Sequence, residues 1–393
     1  MCDDDDNEDD WTYYLPSKKT NGAGGGSKEQ KLKDRIKASS MPTEAKNEAL
    51  QRLANSSSDK DKIYNWVENL LKLPFGKTIK LPVNNKSQPA SIKRYFQKVS
   101  KTLDQAVYGM KPVKEEVVNY IAQFISTNST SMPRILGLCG SPGIGKTAII
   151  RKGFAAALNR PMVCMSMGGV RDSGYFVGHD YTYVGSKYGC IAQNLIKLNC
   201  MNGIMFMDEV DKVSDTPEGR EISNMLLHIT DPMQNHSFQD KYFSGIELDL
   251  SKVIFIFSFN DEKLIDPILR DRIYVIKVPD PSLAEKVVIS QDYLLNELGV
   301  NIGLVKPDIV LSNATIEHII RTYCKNQQGV RGLKKCLESV LLKINTARYV
   351  ENTYKCFKEL KVVLPFEVTI SVVDELLVDC KPKEDKYISS MYI

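Results

Sequence analysis

Eight consecutive residues, Gly140, Ser141, Pro142, Gly143, Ile144, Gly145, Lys146 and Thr147, have the spacing G-x-x-x-x-G-K-[ST]. A short apolar strand over 135–139 is predicted before them and a helix over 148–158 after them. The glycines let successive backbone N–H groups curve around phosphate oxygens, and the helix turns its positive end toward them. The chemistry is triphosphate binding, with Lys146 reaching the β- and γ-phosphates and Thr147 offering its hydroxyl to Mg²⁺. A second run, Ile204-Met-Phe-Met, ends in Asp208 and Glu209. A strand buried on both faces carries acids only at its C-terminal edge, which is where α/β sheets bind ligands. Asp208 is the candidate Mg²⁺ ligand, directly or through water, and Glu209 the candidate base for an attacking water. An acid can also cap the following helix, but a phosphate loop about 60 residues upstream favours the catalytic reading.

Three more positions extend this set. Asn260 follows another apolar strand, where an amide can hold the lytic water or the γ-phosphate, although asparagine is also a common turn residue. Arg272 precedes a strand, with Arg270 as the fallback. On a ring-forming ATPase an arginine there reaches a neighbour's γ-phosphate, a contact worth about 10³–10⁵ in rate; a surface ion pair is the plainer reading. Arg331, in Gly329-Val-Arg331-Gly-Leu333, opens a helix late in the chain and could fold over the nucleotide.

The elements that must position these residues follow from hydrophobic periodicity. Strands are predicted at 135–139, 162–166, 204–207, 253–257 and 274–277, with helices between them, the pattern of a parallel sheet covered on both faces. The fold class is therefore α/β, a P-loop NTPase sheet. Ahead of it, Leu32, Ile36, Ala45, Ala49, Leu53, Ile63, Trp66 and Leu70 recur at helical spacing. Residues 78–100 are polar and turn-rich and read as a connector, followed by a helix over 112–124. After Pro281 the strands stop and helices are predicted at 283–298, 315–323 and 330–349. One strand-like run at 360–364 and a short helix at 371–377 close the pattern. The expected division is an acidic, Gly-rich tail at 1–30, a helical segment and connector at 31–100, the α/β domain at 101–280, a helical domain at 281–378 and a tail at 379–393.

Composition bounds the rest. No apolar run approaches the roughly 18 residues that span a bilayer. The acidic start is unlike a signal peptide. With nine scattered cysteines and no C-x-x-C pair, this points to a reducing compartment such as the cytoplasm. Cys139, Cys164, Cys190, Cys336 and Cys380 lie in apolar stretches and are expected as buried thiols. Four histidines, none at metal spacing from a cysteine, give no expectation of zinc. The first ten residues carry seven acids and no base, so the rest of the chain carries a net +11. That excess could favour nucleic acid or an acidic partner, although a solvated mixed surface is the commoner outcome.

Taken together, the motifs resemble the ATPase module of Lon proteases. Gly168-Gly-Val-Arg-Asp172, Gly178-His179, Thr182-Tyr-Val-Gly185, Asp208-Glu-Val-Asp-Lys212, Leu248-Asp-Leu-Ser251 and Gly329-Val-Arg331 stand in Lon order. Leu71-Lys-Leu-Pro-Phe-Gly-Lys77 is similar to the Lon connector, and Tyr108-Gly109 to its adenine-side turn. The resemblance covers roughly residues 30–378 and implies a homo-hexameric AAA+ ring that binds ATP and Mg²⁺ and pulls unfolded protein through its pore. It puts Tyr183 and Val184 on the substrate-gripping loop, where an aromatic and a branched side chain hold a chain irrespective of sequence. Tyr274 stands where Lon usually has an acid. A Ser–Lys peptidase domain, about 200 residues as a full domain, has no place between Tyr349 and Ile393, and the N-terminal substrate domain has no counterpart. The sequence therefore reads as a Lon-like unfoldase or remodelling ring without its own peptidase. The alternatives are the ATPase part of a protease whose peptidase is a separate chain or lies downstream, a nucleic-acid-associated ATPase, or a ring that inhibits full-length Lon by mixing.

Overall fold

In the computed structural model the five predicted strands form one parallel sheet in the order β2-β3-β6-β1-β7. They are β1 (Leu136–Cys139), β2 (Met162–Ser166), β3 (Ile204–Asp208), β6 (Ile254–Phe259) and β7 (Tyr274–Lys277). The residues described are 28–55, 60–128, 133–170, 172–183, 185–213, 216–304, 308–325, 327–349 and 362–378. The tail at 1–27 and residues 379–393 lie outside them. Strands β3 and β6 are apolar on both faces because helices cover both. One face joins a core containing Met205, Met207, Phe255 and Phe257, which also takes Leu32, Leu53 and Trp66 from the N-terminal helices Lys28–Ala38, Thr43–Ala54 and Lys60–Leu70. The other face, with Phe206 and Ile256, packs on the helices Pro89–Ala106 and Lys111–Ser126 and on the helix after the phosphate loop. That last helix runs over 146–158 and is π-helical at Ile149–Ala155. An antiparallel pair, β4 (Phe238–Gln239) and β5 (Glu247–Leu248), had no sequence expectation.

A separate core holds the last domain together. It is built from helical residues at 283–302 and the helices Asn313–Tyr323, Arg331–Ala347 and Ile370–Leu376. Ser282 opens it with a capping box: its hydroxyl accepts from Glu285 N–H and the Glu285 carboxylate accepts from Ser282 N–H.

Three expectations are corrected. Residues 78–100 are not all connector, because the helix Pro89–Ala106 occupies the second half. Ile92, Tyr95, Phe96, Val99 and Leu103 form an apolar face at helical spacing, a signal that the polar, turn-rich residues just ahead of Pro89 obscure. The strand expected at 360–364 is absent over 362–364, and 360–361 lie outside the described residues. A strand β9 (Phe366–Val368) instead follows Pro365 and pairs in parallel with β8 (Ile309–Leu311), where none was expected. Ile309, Val310, Phe366 and Val368 favour strand, but each run is only three residues long and is fixed by its partner. Among the cysteines, Cys190 is buried and Cys139 and Cys336 are intermediate, but Cys164 is exposed, because β2 is an edge strand. Cys380 lies outside the described residues.

Candidate active site

The phosphate loop leaves the C-terminal edge of β1, between β6 and β7. Gly140 N–H donates to Phe259 O at 3.2 Å, tying the loop's first residue to β6. A Cβ on Gly140 would meet Ile144 Cδ1 and Val278 O at 2.7 Å, so the turn closes only on glycine. Gly143 and Gly145 have φ of +74° and +98°, and Ser141, Pro142 and buried Ile144 complete the curve. Lys146 is buried, and its ammonium donates to Gly140 O at 2.5 Å, Ser141 O at 3.3 Å and Asn260 Oδ1 at 2.8 Å. Burial lowers its pKa, and the Asp208 carboxylate pulls it back up. Thr147, next in line, is half-buried.

Asp208 ends β3 opposite Ser166 of β2. Its Oδ1 accepts from Glu209 N–H at 3.0 Å. Glu209 is exposed and left-handed, φ 60° and ψ 41°, a region non-glycine residues rarely occupy. Such backbone strain costs about 1–3 kcal/mol and concentrates at functional sites. The Ser166 hydroxyl stands 3.5 Å from Glu209 Oε2, and a Cβ on Gly168 would come within 2.5 Å of the same oxygen. The cramped crossing between β2 and β3 thus aims the glutamate.

The structure brings the late motifs to this place. Val330 N–H donates to Gly143 O at 3.1 Å and Ser141 Oγ donates to Gln328 Oε1 at 2.8 Å. A Cβ on Gly143 would lie 2.7 Å from that of Arg331. Tyr108 is 40% exposed in a turn with Gly109 at φ +68°, and Met110 of that turn reaches Gly145. A Cβ on Gly109 would meet the Glu285 carboxylate at 3.1 Å, so this turn lies between loop and helical domain. Arg272 bonds within its own chain, to Leu227 O at 2.6 Å and Asp231 Oδ2 at 3.2 Å. Arg270 pairs with Glu262 at 3.4 Å. Tyr183 is 70% exposed on the loop between Gly178 and Gly189; Val184 and Arg171 lie outside the described residues.

Residues 136–279 match the model of the ATPase family associated with various cellular activities. The chain is 34% identical over 356 residues to the Lon protease of Clostridium beijerinckii, covering 89% of this chain and 42% of that protein. It is 34% identical over 328 residues to Lon protease 1 of Bacillus subtilis, covering 82% and 40%. It is 41% identical over 265 residues to the Lon protease homolog of Acanthamoeba polyphaga mimivirus, covering 67% and 26%. These residues form a Lon-family AAA+ ATPase module. The chain spans well under half the length of these relatives.

Three residues with no predicted role also contact this site. Asp211 is buried, and its Oδ2 accepts from the N–H groups of Asn260 at 3.1 Å and Asp261 at 3.4 Å. It thereby fixes the residue that holds Lys146. Ser166 and Gln328 are the others. The signal for Asp211 was its place in Asp208-Glu-Val-Asp-Lys212, a second acid just past a buried strand. No helix among the described residues is long and apolar enough to cross a membrane.

Proposed function

We propose that the module is the motor of a homo-hexameric, Lon-like ring that hydrolyses ATP to unfold and translocate protein. The observation that carries this reading is the hydrogen bond from Val330 N–H to Gly143 O, which ties the helical domain to the loop and so gives it a route by which the loop's occupant can act on it. A triphosphate fits the residues present: the loop has glycine where a Cβ would collide, and a buried ammonium spends its bonds on the loop's own carbonyls. Thr147 and Asp208 would hold Mg²⁺, which when bound neutralises charge between the β- and γ-phosphates. Lys146 would turn from Gly140 O to the phosphates while Asn260 keeps hold of it. Glu209 would orient a water and take its proton. Tyr108 and Gly109 would flank the base, and Arg331 would report the γ-phosphate to the helical domain. Arg272 would leave Asp231 for a neighbouring subunit's phosphate. Tyr183, with Val184, would grip the substrate chain.

A second reading, the ATPase part of a Lon-type protease whose peptidase lies outside these residues, is favoured by the relatives' names and by the chain spanning 26–42% of their length. A reducing compartment such as the cytoplasm suits either. The test is unfolding of a fluorescent reporter protein under ATP. Glu209→Gln should bind ATP and neither turn it over nor unfold the reporter; unfolding at the wild-type rate by this variant would refute the assignment. The second reading is decided by supplying the peptidase, as a separate chain or as coding sequence downstream of Ile393: ATP-dependent reporter fragments that appear only on that addition favour it, and intact unfolded chains count against it.

A further inference from the structure

At the edge of the sheet opposite the phosphate loop, a cavity of about 500 Å³ opens beneath the starts of β1, β2, β3 and β6. Arg160 lines it just before β2 and is only 5% exposed. One face of its guanidinium lies over the Phe124 ring at 5.0 Å, but Nε and Nη1 are buried and have no hydrogen-bond partner. A desolvated cation with idle in-plane donors costs several kcal/mol unless something anionic meets it. No aspartate or glutamate is among the described residues lining the cavity, whereas Lys80, Lys86 and Lys252 are. The wall opposite is fixed: Asn202 accepts from Ile79 N–H at 2.9 Å and donates to Ile79 O at 2.8 Å, and Met201 N–H donates to Lys77 O at 2.8 Å. Ile79, Leu81, Val83 and Phe124 give an apolar flank. The space suits a small metabolite, whose sites run to roughly 300–1,000 Å³.

We propose that this cavity binds a small phosphate-bearing molecule, its phosphate paired with the guanidinium of Arg160, which would turn its unpartnered donors toward it, and its charge balanced by Lys80, Lys86 and Lys252. A guanidinium fork matches phosphate geometry, and three lysines add point charges that a single carboxylate would not balance. The site is independent of the nucleotide site, since it lies at the other end of the strands.

The test is calorimetric titration with inorganic pyrophosphate in a Lys146→Ala background, which disables the phosphate loop. One saturable site per chain is expected there, lost in Arg160→Gln and weakened at least tenfold in Lys80→Glu/Lys252→Glu. The two lysines are exposed, so the second variant separates loss of the site from loss of the fold. Absence of saturable binding in the Lys146→Ala background, or binding that the Lys80→Glu/Lys252→Glu variant leaves unchanged, overturns the proposal.

Discussion

Lys146 has three oxygens around it, and Asn260 is the one side chain among them. Asn260 is held in turn through its backbone by Asp211, one of whose oxygens is buried without a partner. Asp211→Ala leaves the part-buried N–H groups of Asn260 and Asp261 without their acceptor, which costs on the order of 1 kcal/mol of stability. It also loosens Asn260, so kcat for ATP should fall at least tenfold while KM changes little. Asp211→Asn, which keeps an acceptor, should recover part of that rate. A purely structural Asp211 would show the stability loss with kcat intact, measured by steady-state ATPase beside urea unfolding. Asp208 and Glu209 were legible in the sequence because an acid at the end of an apolar run is costly to desolvate unless it meets a cation or a donor. Asp211 was not, because its partners are backbone N–H groups 49 residues away. The left-handed backbone of Glu209 was likewise invisible, since nothing local in Glu209-Val-Asp calls for it.

The loop that carries Tyr183 is a strap fastened at its base. Gly189 N–H donates to Asp240 Oδ2 at 2.8 Å and His179 N–H to Lys187 O at 3.2 Å. Beside it, Arg52 lies against both Trp66 and Tyr181, which also touch each other, so the N-terminal helices brace the loop. Asp240 is fully buried, and burial outweighs its backbone hydrogen bonds to raise its pKa from 3.8 to about 6. Between about pH 4 and 6 the folded state keeps this proton after the unfolded state has lost it. Stability therefore falls as pH rises across that window and is flat above it, by about 3 kcal/mol from this group. Urea unfolding at pH 4.5 and 6.5 should show that slope in the wild type and not in Asp240→Asn; equal slopes would count against it. The helical domain gives a second prediction. A Cβ on Gly329 would collide with Pro142 O and meet Gly143 backbone at 3.0 Å, neither of which can yield cheaply. Gly329→Ala should leave each core folded yet lift that domain off the loop, weakening ATP binding about tenfold or more by fluorescent-nucleotide titration. The sheet and most helices could be read from periodicity because burial imposes it. The helix Pro89–Ala106 has the same periodicity on one face but begins inside a polar, turn-rich stretch, and the β8–β9 pair joins two three-residue strands too short to stand out without each other.

At the scale of the molecule, two cores back the sheet and a third belongs to the helical domain, so the site sits where separately packed bodies meet. Arg272 stays on its own chain, bonded to Leu227 and Asp231. In a ring, Arg272→Ala should bind ATP normally and lose hydrolysis on the order of 10³-fold. Mixing such subunits with Glu209→Gln subunits should restore part of the rate, because each defect leaves half of a shared site intact. No recovery in any mixture would argue that the site is complete within one chain. The most direct measurement of the motor account is ATP turnover with and without an unfolded polypeptide, in wild type and in Tyr183→Ala. The account predicts that unfolded chain stimulates the wild type severalfold, and that Tyr183→Ala keeps its basal rate and loses the stimulation. A wild-type rate indifferent to unfolded protein, or stimulation undiminished in Tyr183→Ala, would contradict it.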